Sequence, residues 1–161
     1  MKEYFSIVIA FLLCIVLLPL IIFLIVFVCV FDKQWPIFKQ NRVGLNQKIF
    51  TIYKIKTFKH GKESNIGKRL RNWKLDELLQ LINIVTGTMN FIGPRPLIDS
   101  DFNLYSENSQ QIISSVKPGL TGLSAIYYFD ESKKINPSFV LSKEHLELSF
   151  IKKTHLNLEY I

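Results

Sequence analysis

The chain has 161 residues, with 20 Lys and Arg against 13 Asp and Glu and a net charge of +7. That excess suits anionic partners such as phosphorylated substrates or acidic lipid headgroups. An uncharged, almost wholly apolar run from Tyr4 to Phe31 argues against a single soluble domain, and because both cysteines, Cys14 and Cys29, lie inside it, they read as small buried hydrophobes rather than as a disulfide framework or a zinc site.

The chain therefore divides into residues 1–32, a membrane helix, and residues 33–161, roughly enough chain for one modest core. The apolar run lacks the short core and small-residue cleavage site of a secretory signal, so it reads as a retained anchor. Lys33, Lys39, Arg42, Lys48, Lys54 and Lys56 follow it and only Lys2 precedes it. The positive-inside rule then places the globular part in the cytoplasm. As a straight helix the run would be about 42 Å long against a hydrocarbon core of roughly 30 Å. Pro19, near its middle, removes a backbone hydrogen bond and predicts a kink near Leu18. A tilted span and a bent helix that enters and leaves by the same face both satisfy these constraints.

At Asp32 the composition turns polar, with Trp35 suited to the headgroup region. Residues 37–58 read as a hairpin: Arg42 to Asn46 supplies a turn containing Gly44, and Ile49 to Phe58 alternates apolar and polar. Lys54 and Lys56 then share one face, where solvated strand lysines are the ordinary expectation. His60 stands in a polar loop without a partner at ligand spacing, and His145 and His155 farther on have no convincing partners either. Ile66, Leu70 and Trp73 follow at helical spacing among Lys68, Arg69, Arg71 and Lys74, a basic amphipathic segment suited to an anionic membrane surface.

Leu75, Leu78, Leu79 and Ile82 fall at i, i+3, i+4 and i+7, which predicts one buried helical face with Asp76, Gln80 and Asn83 in a polar row elsewhere. A helix N-terminus favours ionised carboxylates, so Asp76 and Glu77 are open to two readings: helix capping, or a nucleophile beside a Mg²⁺ ligand. In Gly93-Pro94-Arg95-Pro96 the two prolines fix the backbone around Arg95, which either serves an ordinary ion pair or is held for bidentate phosphate recognition. Carboxylates, a constrained arginine and surrounding cations together suggest Mg²⁺-assisted phosphoryl transfer. A helix is expected around Phe102 to Ile113, then a turn at Lys117-Pro118-Gly119.

QNRVGLNQKIFTIYKIKTF, IGKRLRNWKLDELLQLINIVTG, MNFIGPRPL and KPGLTG resemble, in order, the motifs of the bacterial sugar transferase family, the monotopic phosphoglycosyl transferases. The resemblance implies an α+β, membrane-anchored fold: a re-entrant helix broken at Pro19, then a small cytoplasmic domain of amphipathic helices and a short β-hairpin. It favours the re-entrant geometry over the tilted span. It implies transfer of a sugar 1-phosphate from a UDP-sugar to undecaprenyl phosphate, through a phosphosugar-aspartyl intermediate and with release of UMP. The place of action would be the bacterial inner membrane, among its lipids, with Mg²⁺ as cofactor. Asp76 matches the nucleophile and Glu77 the Mg²⁺ ligand. Arg71, Arg95 with its flanking Pro94 and Pro96, and Lys56 match phosphate- or nucleotide-binding positions.

The chain departs from the family pattern at several positions, most of them in its last third. Leu123-Ser124-Ala125-Ile126 replaces a more polar block, Glu147 and Glu159 stand where aspartates are usual, and Thr88 replaces an acidic residue. These departures motivate an alternative: a catalytically impaired, membrane-anchored member that acts as an interaction protein in glycan assembly. In either reading the partners include downstream glycosyltransferases; a membrane-tethered nucleic-acid binder would rest on the positive charge alone, and no nucleic acid is expected beside a membrane segment.

Overall fold

The computed structural model describes residues 2–59 and 61–122. His60, Ala125, His145, Glu147, His155 and Glu159 lie outside the described residues. The described chain mixes helices and short strands and forms two compact units. One comprises residues 1–42 and 50–88, and the other residues 43–49 and 89–161.

The first unit opens with α1 (Lys2–Asp32), a helix that continues through Pro19. From Tyr4 to Asp32 it is long and apolar enough to cross a membrane. Ile21, Leu24 and Val28 recur at helical spacing and bury one stripe of its C-terminal half against Ile55, Leu70 and Leu79. Each such aliphatic side chain, fully buried, stabilises by about 1.5–3 kcal/mol. The N-terminal half keeps Phe5, Val8, Phe11, Leu12, Ile15 and Val16 exposed, a surface suited to lipid rather than water.

β1 (Ile37–Val43) pairs with β2 (Ile49–Ile55) in the expected hairpin. Its turn is a 3-10 segment, Leu45–Gln47, with Asn46 and Gln47 at positive φ. β3 (Phe58–Lys59) and β4 (Lys62–Glu63) form a second, minimal antiparallel pair. α2 (Asn65–Asn72) follows, capped by Ser64, whose hydroxyl accepts the Gly67 N–H at 2.9 Å and donates to Asp32 Oδ2 at 2.8 Å. A single serine thus ties the end of α1 to the start of α2. Leu70 is buried as the spacing requires, but Trp73, at the helix end, is exposed.

The predicted helix after Trp73 differs in winding. Leu75–Gln80 is a 3-10 helix, and only Leu81–Val85 is α-helical (α3). At three residues per turn, Asp76 and Leu79 share a face. Asp76, Leu79, Gln80, Leu81, Asn83 and Ile84 are buried while Ile82 is exposed, so the expected polar row lies inside. Asn83 makes use of that position: its Nδ2 donates to the Thr51 carbonyl at 2.7 Å and fastens β2 to α3. α3 also lies against α1.

In the second unit, β5 (Asn90–Ile92) runs parallel to β6 (Gly119–Thr121). Asn90 N–H donates to Pro118 O, Gly119 N–H to Pro94 O and Gly93 N–H to Thr121 O, at 2.8–3.0 Å, which stitches the GPRP block to the KPGLT block. The backbones are so close that a Cβ on Gly119 would stand 2.1 Å from Gly93 N. The helix expected from Phe102 to Ile113 is two pieces, α4 (Asp99–Phe102) and α5 (Glu107–Ser114). Ser106 separates them, its hydroxyl accepting the Ser109 N–H as the N-cap of α5. Val43, Phe102, Tyr105 and Ile113 form this unit's core.

Candidate active site

Lys74 controls the approach to the carboxylates. Its left-handed backbone, φ 57°, ends α2 and turns the chain into the 3-10 helix. Such a conformation costs about 1 kcal/mol or more in a residue with a Cβ. It reverses the chain sharply enough that Arg71, Lys74, Asp76 and Glu77 fall on successive short elements in contact with one another.

Asp76 is 6% exposed, and its Oδ1 is buried with no hydrogen-bond partner among the described residues. Burial raises its carboxyl above the ordinary carboxylate value, and the adjacent Glu77 charge raises it further. Lys54, Arg71 and Lys74 oppose that rise and favour the ionised form. The helix-terminus reading therefore missed the dominant influence, which is desolvation. A poorly solvated carboxylate within reach of three cations can attack an electrophile that brings its own compensating charge.

Glu77 is held from another element. Lys54, on β2, places Nζ 2.7 Å from Glu77 Oε1, with the two side chains 16% and 17% exposed. Strand alternation alone makes both Lys54 and Lys56 ordinary solvated lysines, and the family resemblance favours Lys56. Lys56 stands just past the end of β2, its backbone N–H donating to Pro36 O at 2.7 Å. The signal for Lys54 was its place between Ile52 and Ile55, both buried, which lays the lysine stem on the apolar core and delivers its ammonium to the core's edge.

Arg71 is exposed. It pairs with Glu63 at 3.3 Å and stacks over the Phe58 ring at 5.5 Å while contributing to the field at Asp76. An exposed pair of this length is worth about 0–1 kcal/mol, so the guanidinium is readily exchanged to a stronger anion. In the second unit, Pro94 and Pro96 are buried and Arg95 is exposed between them. Arg95 lines a small cleft with Val43, Gly44, Leu97 and Phe102. The prolines thus anchor a short backbone segment and leave the arginine outward.

Among the described residues no three His, Cys, Asp or Glu side chains gather as a metal cage. Mg²⁺ does not require one, because it is commonly held by one or two carboxylates with substrate phosphates and water completing its shell. The orphaned Asp76 Oδ1 beside Glu77 fits that sparse arrangement.

The chain matches the family model described as Bacterial sugar transferase over residues 1–161. It is 38% identical over 55% of its length to Uncharacterized sugar transferase EpsL of Bacillus subtilis, the match covering 50% of that protein. It is 30% identical over 76% of its length to Exopolysaccharide production protein ExoY of Sinorhizobium fredii, covering 66% of it. To UDP-glucose:undecaprenyl-phosphate glucose-1-phosphate transferase of Klebsiella pneumoniae it is 30% identical over 78% of its length, covering 30% of that relative. The chain thus spans less than two thirds of the length of each of these relatives. With the family's description matched along its whole length, around a buried aspartate flanked by a paired glutamate and three cations, the chain belongs to the bacterial sugar transferase family.

Proposed function

We propose that this chain transfers a sugar 1-phosphate from a UDP-sugar to undecaprenyl phosphate, in exopolysaccharide or other surface glycan synthesis. The observation that carries the proposal is Asp76: a buried carboxylate whose Oδ1 has no hydrogen-bond partner among the described residues, in the field of Lys54, Arg71 and Lys74, in a chain matching the family throughout. The names of the Klebsiella and Sinorhizobium relatives support the donor, the acceptor and the process.

In this mechanism an Asp76 carboxylate oxygen attacks the sugar-bearing phosphorus of the UDP-sugar. The phosphoanhydride bond breaks and UMP departs with the bridging oxygen, leaving the phosphosugar on Asp76. An oxygen of undecaprenyl phosphate then attacks the same phosphorus, the acyl-phosphate bond breaks, and the Asp76 carboxylate is restored. Arg71 exchanges its weak pair with Glu63 for phosphate oxygens, and Arg95 and Lys56 serve the phosphates or nucleotide. Glu77, beside Asp76, would hold Mg²⁺, which when bound would supply neutralisation of charge on the diphosphate.

Purified protein given undecaprenyl phosphate and a panel of UDP-sugars will release UMP with at least one of them, will stop in EDTA and will resume with added Mg²⁺. No UMP release across the panel by folded protein rejects the proposal.

The same reading makes α1 a re-entrant anchor that bends at Pro19 and leaves the remaining chain on the cytoplasmic face. Proline in a helix supplies the break in hydrogen bonding that such a bend needs. In that geometry a Lys2→Cys variant resists a membrane-impermeant thiol reagent in intact cells and reacts after lysis. Labelling in intact cells establishes a spanning helix instead.

A further inference from the structure

We propose that Lys54 is a further substrate-binding residue that competes with a divalent cation for Glu77, holding the carboxylate in place until a cation-bearing diphosphate arrives and then turning its ammonium to the phosphate. The inference rests on the transferase reading and adds a residue to it.

The argument begins with the pair itself. Lys54 and Glu77 are far apart in sequence, belong to a strand and a 3-10 helix, and meet at 2.7 Å at a largely buried position. Glu77 is the neighbour of the aspartate whose oxygen is orphaned. Asp76 and Glu77 repel one another, and without a cation both carboxylates would face each other's charge in a poorly solvated place. Lys54 relieves that repulsion by bonding Glu77 directly.

The residue type matters as well. A guanidinium would grip Glu77 through a rigid bidentate fork, whereas an ammonium is a point charge on a flexible four-carbon stem, able to exchange one anionic partner for another. β2 fixes the base of that stem, because Asn83 ties the strand to α3 through Thr51. Lys54 therefore stays within reach of the carboxylates whichever anion it meets.

Mn²⁺ binding to the full chain in detergent, without substrate, tests the inference through free Mn²⁺ measured by electron paramagnetic resonance. Lys54→Met, which keeps the stem and removes the charge, is expected to bind Mn²⁺ about three- to tenfold more tightly than wild type, the competing pair being gone. Its KM for the UDP-sugar should rise by about tenfold or more, because the phosphate loses a cation. Lys54→Arg, with a stronger hold on Glu77, should bind Mn²⁺ several-fold more weakly. These opposite shifts are the signature of competition, and the arginine variant keeps the test available if the methionine variant fails to fold. Unchanged Mn²⁺ affinity in the folded variants, or weaker binding in Lys54→Met, overturns the inference and leaves Lys54 a structural brace. Glu77→Gln with wild-type Mn²⁺ affinity removes Glu77 as the metal ligand and this inference with it, while UMP release that depends on Asp76 would still stand.

Discussion

Asp76→Asn abolishes UMP release and at the same time makes the protein more stable at neutral pH. The loss of activity follows from replacing a nucleophilic oxygen by an amide, and a fall of at least about a thousandfold is expected, as for other removed nucleophiles. Wild type incubated with the UDP-sugar alone should gain the mass of one phosphosugar, and the variant should not. The gain in stability follows from the environment of the carboxylate. Burial, then Glu77, raises the Asp76 pKa in the folded chain above its unfolded value. Between the ordinary carboxylate range and that raised value the folded state holds more protons than the unfolded state, so stability falls as pH rises through the window. Above the window the full cost of keeping Asp76 ionised remains, and below the ordinary range, under about pH 4, both states are protonated and the cost is gone.

Asp76→Asn removes that dependence. In EDTA at pH 7 it should be more stable than wild type by about 1 kcal/mol, or a few degrees in Tm, and the difference should vanish in acid. A lower Tm at pH 7 than wild type would mean that the three cations outweigh burial. Gain of stability with loss of function is the expected mark of a site held under electrostatic strain.

What the sequence made legible depended on whether its periodicity was the periodicity of the chain. α1, the 37–55 hairpin and α2 follow from an uncharged run, a strand alternation and a helical spacing, and each lies close to where those patterns put it. The LDELLQ block does not, because its apolar spacing matches a 3.6-residue period while the segment is wound at three residues per turn. The difference matters for the chemistry. A 3.6-residue period puts Asp76 in a polar row on a face apart from the buried one, whereas after the left-handed Lys74 turn Asp76 is buried, with an Oδ1 that has no hydrogen-bond partner among the described residues. Asp76 and Glu77 could be named from their motif, but Lys54 could not be paired with Glu77 from sequence, since the pair joins elements 23 residues apart. Likewise, one helix was expected around Phe102 to Ile113, and the break is set by the local competition of a serine cap at Ser106.

Gly67→Ala illustrates how a position remote from the carboxylates governs them. In an exposed helix this change stabilises by about 1 kcal/mol, because alanine is the better helix former. Here the sign reverses. A Cβ on Gly67 would stand 2.0 Å from the Thr57 carbonyl oxygen and within 2.7 Å of two further backbone atoms of Thr57, none of which can rotate away. Thr57 is buried and its carbonyl accepts the Ser64 N–H at 3.0 Å, while Ser64 caps α2 and bonds Asp32 at the end of α1. Relief therefore requires α2 to move away from the end of β2, at the expense of the cap and its link to α1. The expected cost is about 2–4 kcal/mol, seen as a lower Tm in detergent. Because α2 carries Arg71 toward Asp76, and a displacement of about 1 Å at a positioning group can cost about a hundredfold in rate, turnover should fall even where the protein remains folded. Asn65→Ala, on the exposed first turn of the same helix, supplies the control and should leave both properties close to wild type. If Gly67→Ala matches Asn65→Ala in Tm, the close approach of α2 to Thr57 does not exist in solution. If it lowers Tm without slowing turnover, the placement of Arg71 by α2 is not what the reaction depends on.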